Sequence, residues 1–554
     1  MLDGCTPWPA ELAARYRRLG LWEGVTIAGR LQRQIAERPA HVALVDGDQR
    51  LTYAALGEAV DRLACAFLDA GLRPGDRVVV QLPNTASFVL TYFALVRIGA
   101  IPVTALRAHR HTEVAHFLRA SGAVAYVIAD RIRDFDYRAM AAELLPGAPA
   151  LRDVFVDGEP SAGQRALGPM IDSRLGSAQT ARRLAAVAPD PSEVATMLLS
   201  GGTTSLSKLI PRTHDDYVLN ARLCGAAAGF DRTTVHLAIL PLGHNYNLAS
   251  PGLLGALYAG GTVVLARSGD AEHVFGLVER ERVTSIGAVV PLVSAWLASD
   301  APDRHDLSSL RVVQNGGARL APELRARLRE RLGCVPQEIY GTAEGLINMT
   351  RLDDPDELLL ESSGTPVCEH DEIQVVDDAG REVSDGEPGE LLTRGPYTIR
   401  GYYNAADKNR EAFTADGWYR MGDIVRKRGR SVYTEGRRKD LINRGGEKIS
   451  CEEVENLIYG HPKVRVVTLV GMPDPVMGER ACAFVVLEPG ATLAFDEMIA
   501  FLKAQKIASF KLPERLEVVA ELPLSPVGKV LKRELRDRIA AKLDAKAAAR
   551  RGGA

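Results

Sequence analysis

Ser200-Gly201-Gly202-Thr203-Thr204-Ser205-Leu206-Ser207-Lys208, running on into LIPRTHDD through Asp216, is the stretch on which the reading of this chain turns. Glycines at 201 and 202 carry no Cβ, so backbone amides there can close around a polyphosphate. The hydroxyls of Thr203 and Thr204 add hydrogen-bonding groups, and Lys208 adds positive charge. The run does not fit the GxxxxGK[ST] pattern, because Leu209 follows Lys208, which disfavours a Walker-type nucleotide hydrolase. Read alone, it also fits a Ser/Thr/Gly surface turn, so the weight falls on what surrounds it.

Outward from this loop, short apolar runs alternate with longer amphipathic ones. Arg77 to Leu82, Ala123 to Ile128, Thr262 to Leu265 and Ser285 to Val290 read as strands; Tyr53 to Ala70 and Glu323 to Leu332 read as helices. That alternation predicts an α/β architecture with layered, largely parallel sheets. Residues 144–187, weakly periodic and rich in Gly, Pro, Ser and Ala, are expected to form a surface excursion. After Gly436 the charged, glycine-punctuated RRKDLINRGGEK leads into a predicted helix over Glu452 to Tyr459 and strands over Val464 to Val470 and Ala481 to Leu487. The expected division is a large domain over 1–437, a small mobile α+β domain over 438–540 and a disordered tail over 541–554.

A chain of 554 residues accommodates several cores, and 68 Lys+Arg against 70 Asp+Glu gives no net field that would draw nucleic acid or an anionic membrane. A small-molecule substrate is the expectation. Seven cysteines stand singly, without CxxC pairs, and read as reduced thiols of a cytoplasmic protein. Every potential apolar run is interrupted by charge, Gly or Pro before membrane-spanning length.

Downstream come further candidates. In YGTAEG, Tyr340 offers an aromatic face for a base, and Glu344 offers a carboxylate for Mg²⁺. Gly316, Gly317 and Ala318 form a turn without bulk; Asp423 in WYRMGD can accept from two hydroxyls at once; Arg437 opens a charged run; and Lys529 follows Pro-Val-Gly in LPLSPVGKVLK. Together with SGGTTSLSK these motifs resemble, in order, those of the adenylate-forming superfamily of acyl-CoA synthetases, luciferases and peptide-synthetase adenylation domains. The phosphate loop departs at Ser205 and Ser207, where the family usually has Gly and Pro.

The resemblance implies ATP and Mg²⁺ as cofactors and an ATP site of Ser200, Gly201, Gly202, Thr203, Thr204, Lys208, Gly316, Gly317, Ala318, Tyr340, Gly341, Thr342, Asp423 and Arg437. Tyr340 would stack on adenine over the open turn at 316–318, and Asp423 would hold the ribose. Glu344 would bind the metal, Lys439 would be the hinge, and Lys529 the catalytic lysine. A narrower likeness covers nearly the whole chain: HNYNLASPG over His244 to Gly252 resembles a segment of stand-alone 2,3-dihydroxybenzoate and salicylate adenylating enzymes of siderophore pathways. It implies an aryl-acid pocket of Asn245, Tyr246, Ser250, Gly317, Ile339, Ala343 and Ile347, with His244 ordering the substrate or serving as a structural histidine.

Physically, the Asn245 amide can meet an ortho hydroxyl, Tyr246 can pack on the ring and Ser250 can pair with a second substituent. By the resemblance, serine at 250 goes with 2,3-dihydroxybenzoate. Asn315 and Thr342 add polarity near the turn and the pocket, which keeps salicylate, 3-hydroxyanthranilate and 3-hydroxypicolinate open as alternatives. The acyl group is expected to pass to the phosphopantetheine thiol of an aryl carrier protein or to CoA. The other readings are an aryl-CoA ligase and a catalytically silent metabolite-binding homologue, the latter prompted by Ser205 and Ser207.

Overall fold

A computed structural model describes residues 1–172, 177–200, 207–445, 447–525 and 528–552. Apolar runs too short for helices pair edge to edge. Arg77–Gln81 lies between Ile101–Thr104 and Ala125–Ala129, parallel to both. Helices Tyr53–Asp69 and Ala86–Arg97, each begun by a threonine whose side chain caps a backbone N–H, pack in one buried cluster with Val78 and Val80. Among the described residues these strands belong to a seven-stranded sheet, and a nine-stranded sheet lies beyond it.

The middle of the nine-stranded sheet is parallel, with Val42–Asp46, Thr262–Leu265, Val235–Ala238, Ser285–Ala288, Val312–Gly316 and Val335–Thr342 side by side. Antiparallel strands finish each edge. Neighbouring parallel strands end together, so the turn after Gly316 and the segment Tyr340–Glu344 emerge at the same edge, where open α/β sheets place their ligands.

Some features differ from the sequence-based expectation. The supposed excursion over 144–187 contributes a core strand, Asp153–Asp157, whose central Val-Phe-Val is buried beside Ala125–Ala129. Three apolar residues are too few to register as a periodic signal. Residues 372–437 build a four-stranded antiparallel sheet rather than more parallel units.

That sheet ends at Arg437, and the next begins at Ile442. It has five strands, is backed by helices Cys451–Tyr459 and Phe495–Ala504, and encloses its own apolar core. The final helix runs Lys532–Gly552, through much of the segment expected to be a disordered tail, because no Gly or Pro interrupts its Ala-, Lys- and Arg-rich run before Gly552. No helix among the described residues is long and apolar enough to cross a membrane.

Candidate functional site

Gly201, Gly202, Thr203, Thr204 and Ser205 lie outside the described residues, and their flanks define the loop's mouth. The backbone N–H of Ser200 donates to the carbonyl of Lys208 at 3.0 Å, and Lys208 N–H donates back to Ser200 Oγ at 2.9 Å. His116 Nε2 lies 2.9 Å from the Ser207 carbonyl. Lys208 Nζ sits 4.2 Å above the ring of Tyr402, whose hydroxyl donates to Glu344 Oε1 at 2.9 Å. Burial lowers the Lys208 pKa, and the Glu344 carboxylate opposes that shift.

Behind this trio Arg212, fully buried and paired with Asp216 at 2.7 Å, donates to the carbonyls of Ala343 (2.8 Å) and Tyr397 (3.1 Å). A guanidinium is suited to such bridging because its donors are fixed in a plane. Arg212 thus ties the segment carrying Glu344 to the one carrying Tyr402. Arg212, in the stretch LIPRTHDD, and Tyr402 are site residues beyond those expected from the motifs.

A second cluster lies on the other flank. Tyr340 donates its hydroxyl to Asp423 Oδ2 at 2.8 Å, and Arg437, opposite Asp423 in register, brings Nε within 3.5 Å of Oδ1. Burial raises the Asp423 pKa while Arg437 and the Tyr340 hydroxyl hold it down. Gly317, at φ +85°, and Ala318 are exposed beside this cluster, as an open turn requires.

Two glycines have packing roles of their own. Gly316 is buried, and a Cβ there would come 3.0 Å from the ring of Tyr246, so its bareness makes room for the Tyr246 side chain. Gly341 stands where a Cβ would meet the Leu346 carbonyl at 2.2 Å, a requirement of the hairpin. The Thr342 hydroxyl is buried without a hydrogen-bond partner.

Between these clusters the short helix Asn245–Ala249 is capped by His244, whose Nδ1 accepts from Tyr246 N–H at 3.3 Å. Burial, helped by the neighbouring Lys529 charge, lowers His244 to about 4. It is therefore neutral at pH 7, with Nδ1 as acceptor, and acts as a cap rather than a cation. Tyr246 packs in one buried cluster with Ile339, Ile347, Tyr397, Cys224 and Val289, and its hydroxyl donates to the Gln314 carbonyl at 2.9 Å. Asn245 and Ser250 lie against this cluster, 3.3 Å apart, and Ala343 packs against the large core.

Lys529 comes from the small domain. Its Cε lies 3.4 Å from where a Cβ on Gly317 would stand, and its backbone N–H donates to Ser525 Oγ at 3.1 Å. A cavity of about 700 Å³ between the domains is lined by Gly317, Ala318, Arg437 and Lys529 together. Lys439 falls in the turn Arg438–Asp440 between the two sheets; its side chain lies outside the described residues.

Asp371 is an unanticipated buried acid at the edge of the Tyr246 cluster. It accepts from the Tyr397 hydroxyl, its other oxygen has no partner, and burial lifts it to about 7. A carboxyl whose folded pKa is raised destabilises the fold as pH climbs. Below its ordinary value near 3.8 both states hold the proton; between there and 7 only the folded state does, so stability is lost across that window and stays low above it. Asp371→Asn is expected to be more stable than the parent at pH 8 by roughly 2–4 kcal/mol, with the gap closing near pH 4. Urea unfolding at both pH values measures it, and a gap independent of pH counts against the assignment.

With the geometry in place, comparison with known proteins gives the family. A family model described as AMP-binding enzyme matches residues 31–403, and one for the AMP-binding enzyme C-terminal domain matches 453–529. The chain belongs to the AMP-binding enzyme family. Among curated AMP-binding relatives, it is 48% identical to a salicylyl-CoA synthase / salicylate adenylyltransferase of Streptomyces, over 98% of this chain and 99% of that one. It is 45% identical to the 2,3-dihydroxybenzoate-AMP ligase of Bacillus subtilis, with the same coverage. Solved structures that it resembles include apo MbtA of Mycobacterium smegmatis, at 40% identity and TM-score 0.74 over 96% of this chain and 98% of that one. Another is the anthranilate CoA ligase AuaEII with anthranoyl-AMP, at 26% identity and TM-score 0.85 over 94% and 98%.

Proposed function

We propose that this enzyme joins an ortho-substituted aryl acid to AMP, releasing pyrophosphate, and then passes the acyl group to a thiol. The observation that supports the reading is three charged side chains held at named positions: Lys208 and Glu344 together at Tyr402, and Lys529 over Gly317 from the small domain.

In the first step a carboxylate oxygen of the acid attacks the α-phosphorus of ATP; the new carboxyl–phosphate bond forms as the α–β bond breaks, and pyrophosphate leaves. Lys529 offsets the repulsion between the approaching carboxylate and the phosphoryl oxygens, and the loop from Ser200 to Lys208 holds the departing phosphates. Asp423 and Tyr340 receive the nucleoside. Among the described residues no group of three or more His, Cys, Asp or Glu gathers to ligate a metal. Glu344, with one oxygen held by Tyr402, suits the way Mg²⁺ is held in nucleotide sites, by one carboxylate plus phosphates. When bound, the ion would neutralise phosphate charge.

For the second step, a turn about Lys439 would re-present the adenylate to the phosphopantetheine thiol of an aryl carrier protein; the sulfur bonds to the acyl carbon, the thiol proton is lost, and AMP leaves as the acyl–phosphate bond breaks. Relatives divide on the acceptor: one is a salicylyl-CoA synthase and another, from Mycobacterium tuberculosis, a salicyl-S-ArCP synthetase. The acid favoured is 2,3-dihydroxybenzoate, since Ser250 supplies a hydroxyl for a second ring oxygen, with salicylate next. A siderophore or related natural product is the expected destination.

An ATP–pyrophosphate exchange panel over aryl acids tests this. Exchange driven by 2,3-dihydroxybenzoate or salicylate is the expected result. Binding of ATP and acid by folded protein with Mg²⁺, yet no exchange with any acid, would favour the silent homologue instead.

A further inference from the structure

Helix His214–Ala227 lies behind the pocket and presents Tyr217, Asn220 and Cys224, spaced three and four residues apart on one face, toward the segment Asn245–Ser250. Tyr217 and Asn220 are fully buried, and Asn245 and Ser250 nearly so. Their hydrogen bonds run in one direction. The Ala249 carbonyl can only accept, so the Asn220 nitrogen must face it, at 2.8 Å. The same nitrogen lies 3.0 Å from Ser250 Oγ and therefore donates to it.

On the other side, the Tyr217 hydroxyl donates to Asn245 Oδ1 at 2.9 Å, which turns the Asn245 nitrogen to Ser250 Oγ at 3.3 Å, again as donor. Ser250 Oγ thus receives two amides and has only its own hydrogen left to give, with the Cys224 thiol as a weak neighbouring acceptor. Asn245 has its oxygen committed toward the helix and one N–H left over. Every hydrogen-bonding group that this pair still offers is a donor.

We infer that Tyr217 and Asn220 are positioning residues that lock Asn245 and Ser250 as a donor-only pair, so that the acid accepted must present acceptors at the ring positions they face. The inference rests on the aryl-acid reading above and adds a selection rule to it. A 2-hydroxybenzoate meets the rule, because its phenolic hydrogen turns inward to its own carboxylate and its oxygen is left to accept from Asn245. A 3-hydroxyl oxygen can accept from Ser250 in the same way. A 2-aminobenzoate gives one N–H to its carboxylate and points the other at the Asn245 N–H, two donors facing each other in a buried site. The rule removes 3-hydroxyanthranilate from the candidates and leaves 3-hydroxypicolinate, whose hydroxyl oxygen can accept from Asn245 while its ring nitrogen lies on the other side of the carboxylate.

The test is the ratio of kcat/KM for salicylate to that for anthranilate in ATP–pyrophosphate exchange, in the parent and in Tyr217→Phe, with a second ratio, between acids that differ at the ring position Ser250 faces, read in the parent and in Asn220→Ser. The parent ratio is expected to be at least about 100-fold, as for a site whose buried polar groups would be left unpaired by the wrong substrate. Tyr217→Phe removes the hydroxyl that orients the Asn245 amide, so the amide can turn its oxygen to an amino group, and the ratio is expected to narrow about tenfold. A purely structural fault would lower both activities and leave the ratio alone.

In Asn220→Ser the freed Ser250 lone pair can accept from an amino group at the ring position it faces, so the preference for 2,3-dihydroxybenzoate over 3-amino-2-hydroxybenzoate is expected to narrow; this variant and the parent ratio decide if Tyr217→Phe does not fold. A parent that prefers anthranilate, or ratios unmoved in both variants, would overturn the inference while leaving the aryl-acid reading intact. Absence of exchange with every aryl acid would overturn both.

Discussion

Replacing Lys529 with alanine is expected to lower acid-dependent ATP–pyrophosphate exchange by about 10²–10³, the usual loss when one charge-stabilising donor leaves a transition state. Lys529 is half-buried, placed over Gly317 by the small domain, and close enough to His244 to help hold that imidazole neutral. As a carboxylate oxygen bonds to phosphorus, two anionic reactants are brought together and negative charge gathers on the phosphoryl oxygens, so the ammonium is expected to act on the bond-forming step.

The loss is expected in kcat more than in the KM for ATP, because the proposed nucleotide contacts at Lys208, Asp423 and Tyr340 are left in place. Transfer of the acyl group to a thiol from pre-formed aryl-adenylate is expected to fall much less, since the phosphoryl bond is already made. Single-turnover measurement of the two half-reactions checks this. Equal losses in both would place Lys529 in the general architecture rather than at the first step. Thermal unfolding should barely move, as Lys529 lies outside the buried core of its domain.

The contrast between what could be read from the sequence and what could not follows physical lines. Lys529, Glu344, Asp423 and Lys208 stand in short local motifs, where residue type and spacing carry the chemistry, and their positions can be named before any fold is known. Tyr402 and Arg212 act across 58 and 131 residues of chain, Tyr402 by holding the Glu344 carboxylate and Arg212 by holding the Ala343 carbonyl. No local pattern announces such pairs. Tyr217 and Asn220 sit in a helix whose spacing is visible, but the direction of their hydrogen bonds depends on the Ala249 carbonyl, a backbone group with no sequence signature.

Asn315 shows the opposite failure. As a polar departure near the turn it suggested a more polar acid, yet its amide donates to the Ala318 carbonyl at 2.7 Å and to Glu338 at 3.0 Å. Its polarity is used within the framework that shapes the turn, and it says little about the acid.

That framework makes a second large effect expected, this time on stability: Arg325→Met should cost about 3–5 kcal/mol, the range for stranding one member of a buried ion pair. Arg325 is fully buried in helix Pro322–Leu332, just after the Gly316–Ala318 turn. Its guanidinium lies 3.1 Å from Glu338 and donates to the carbonyls of Leu320, Leu359 and Ser362 at 2.8–3.2 Å. Glu338 in turn holds Asn315 and the Leu320 N–H. Burial raises the Glu338 pKa and Arg325 is the chief group opposing it.

Without the arginine the carboxyl must either stay charged in an apolar interior or take up a proton. The folded pKa then rises further, so the deficit should be larger at pH 8 than at pH 5, because a raised carboxyl pKa removes stability as pH increases. Adding Glu338→Gln should recover part of the loss by removing the stranded charge, while the three orphaned carbonyls keep the double variant below the parent. Urea unfolding of the parent, both single variants and the double variant measures each difference. A single-variant loss under about 1 kcal/mol, typical of an exposed pair, would mean that water reaches Glu338 and that the turn beneath Lys529 is held by packing alone.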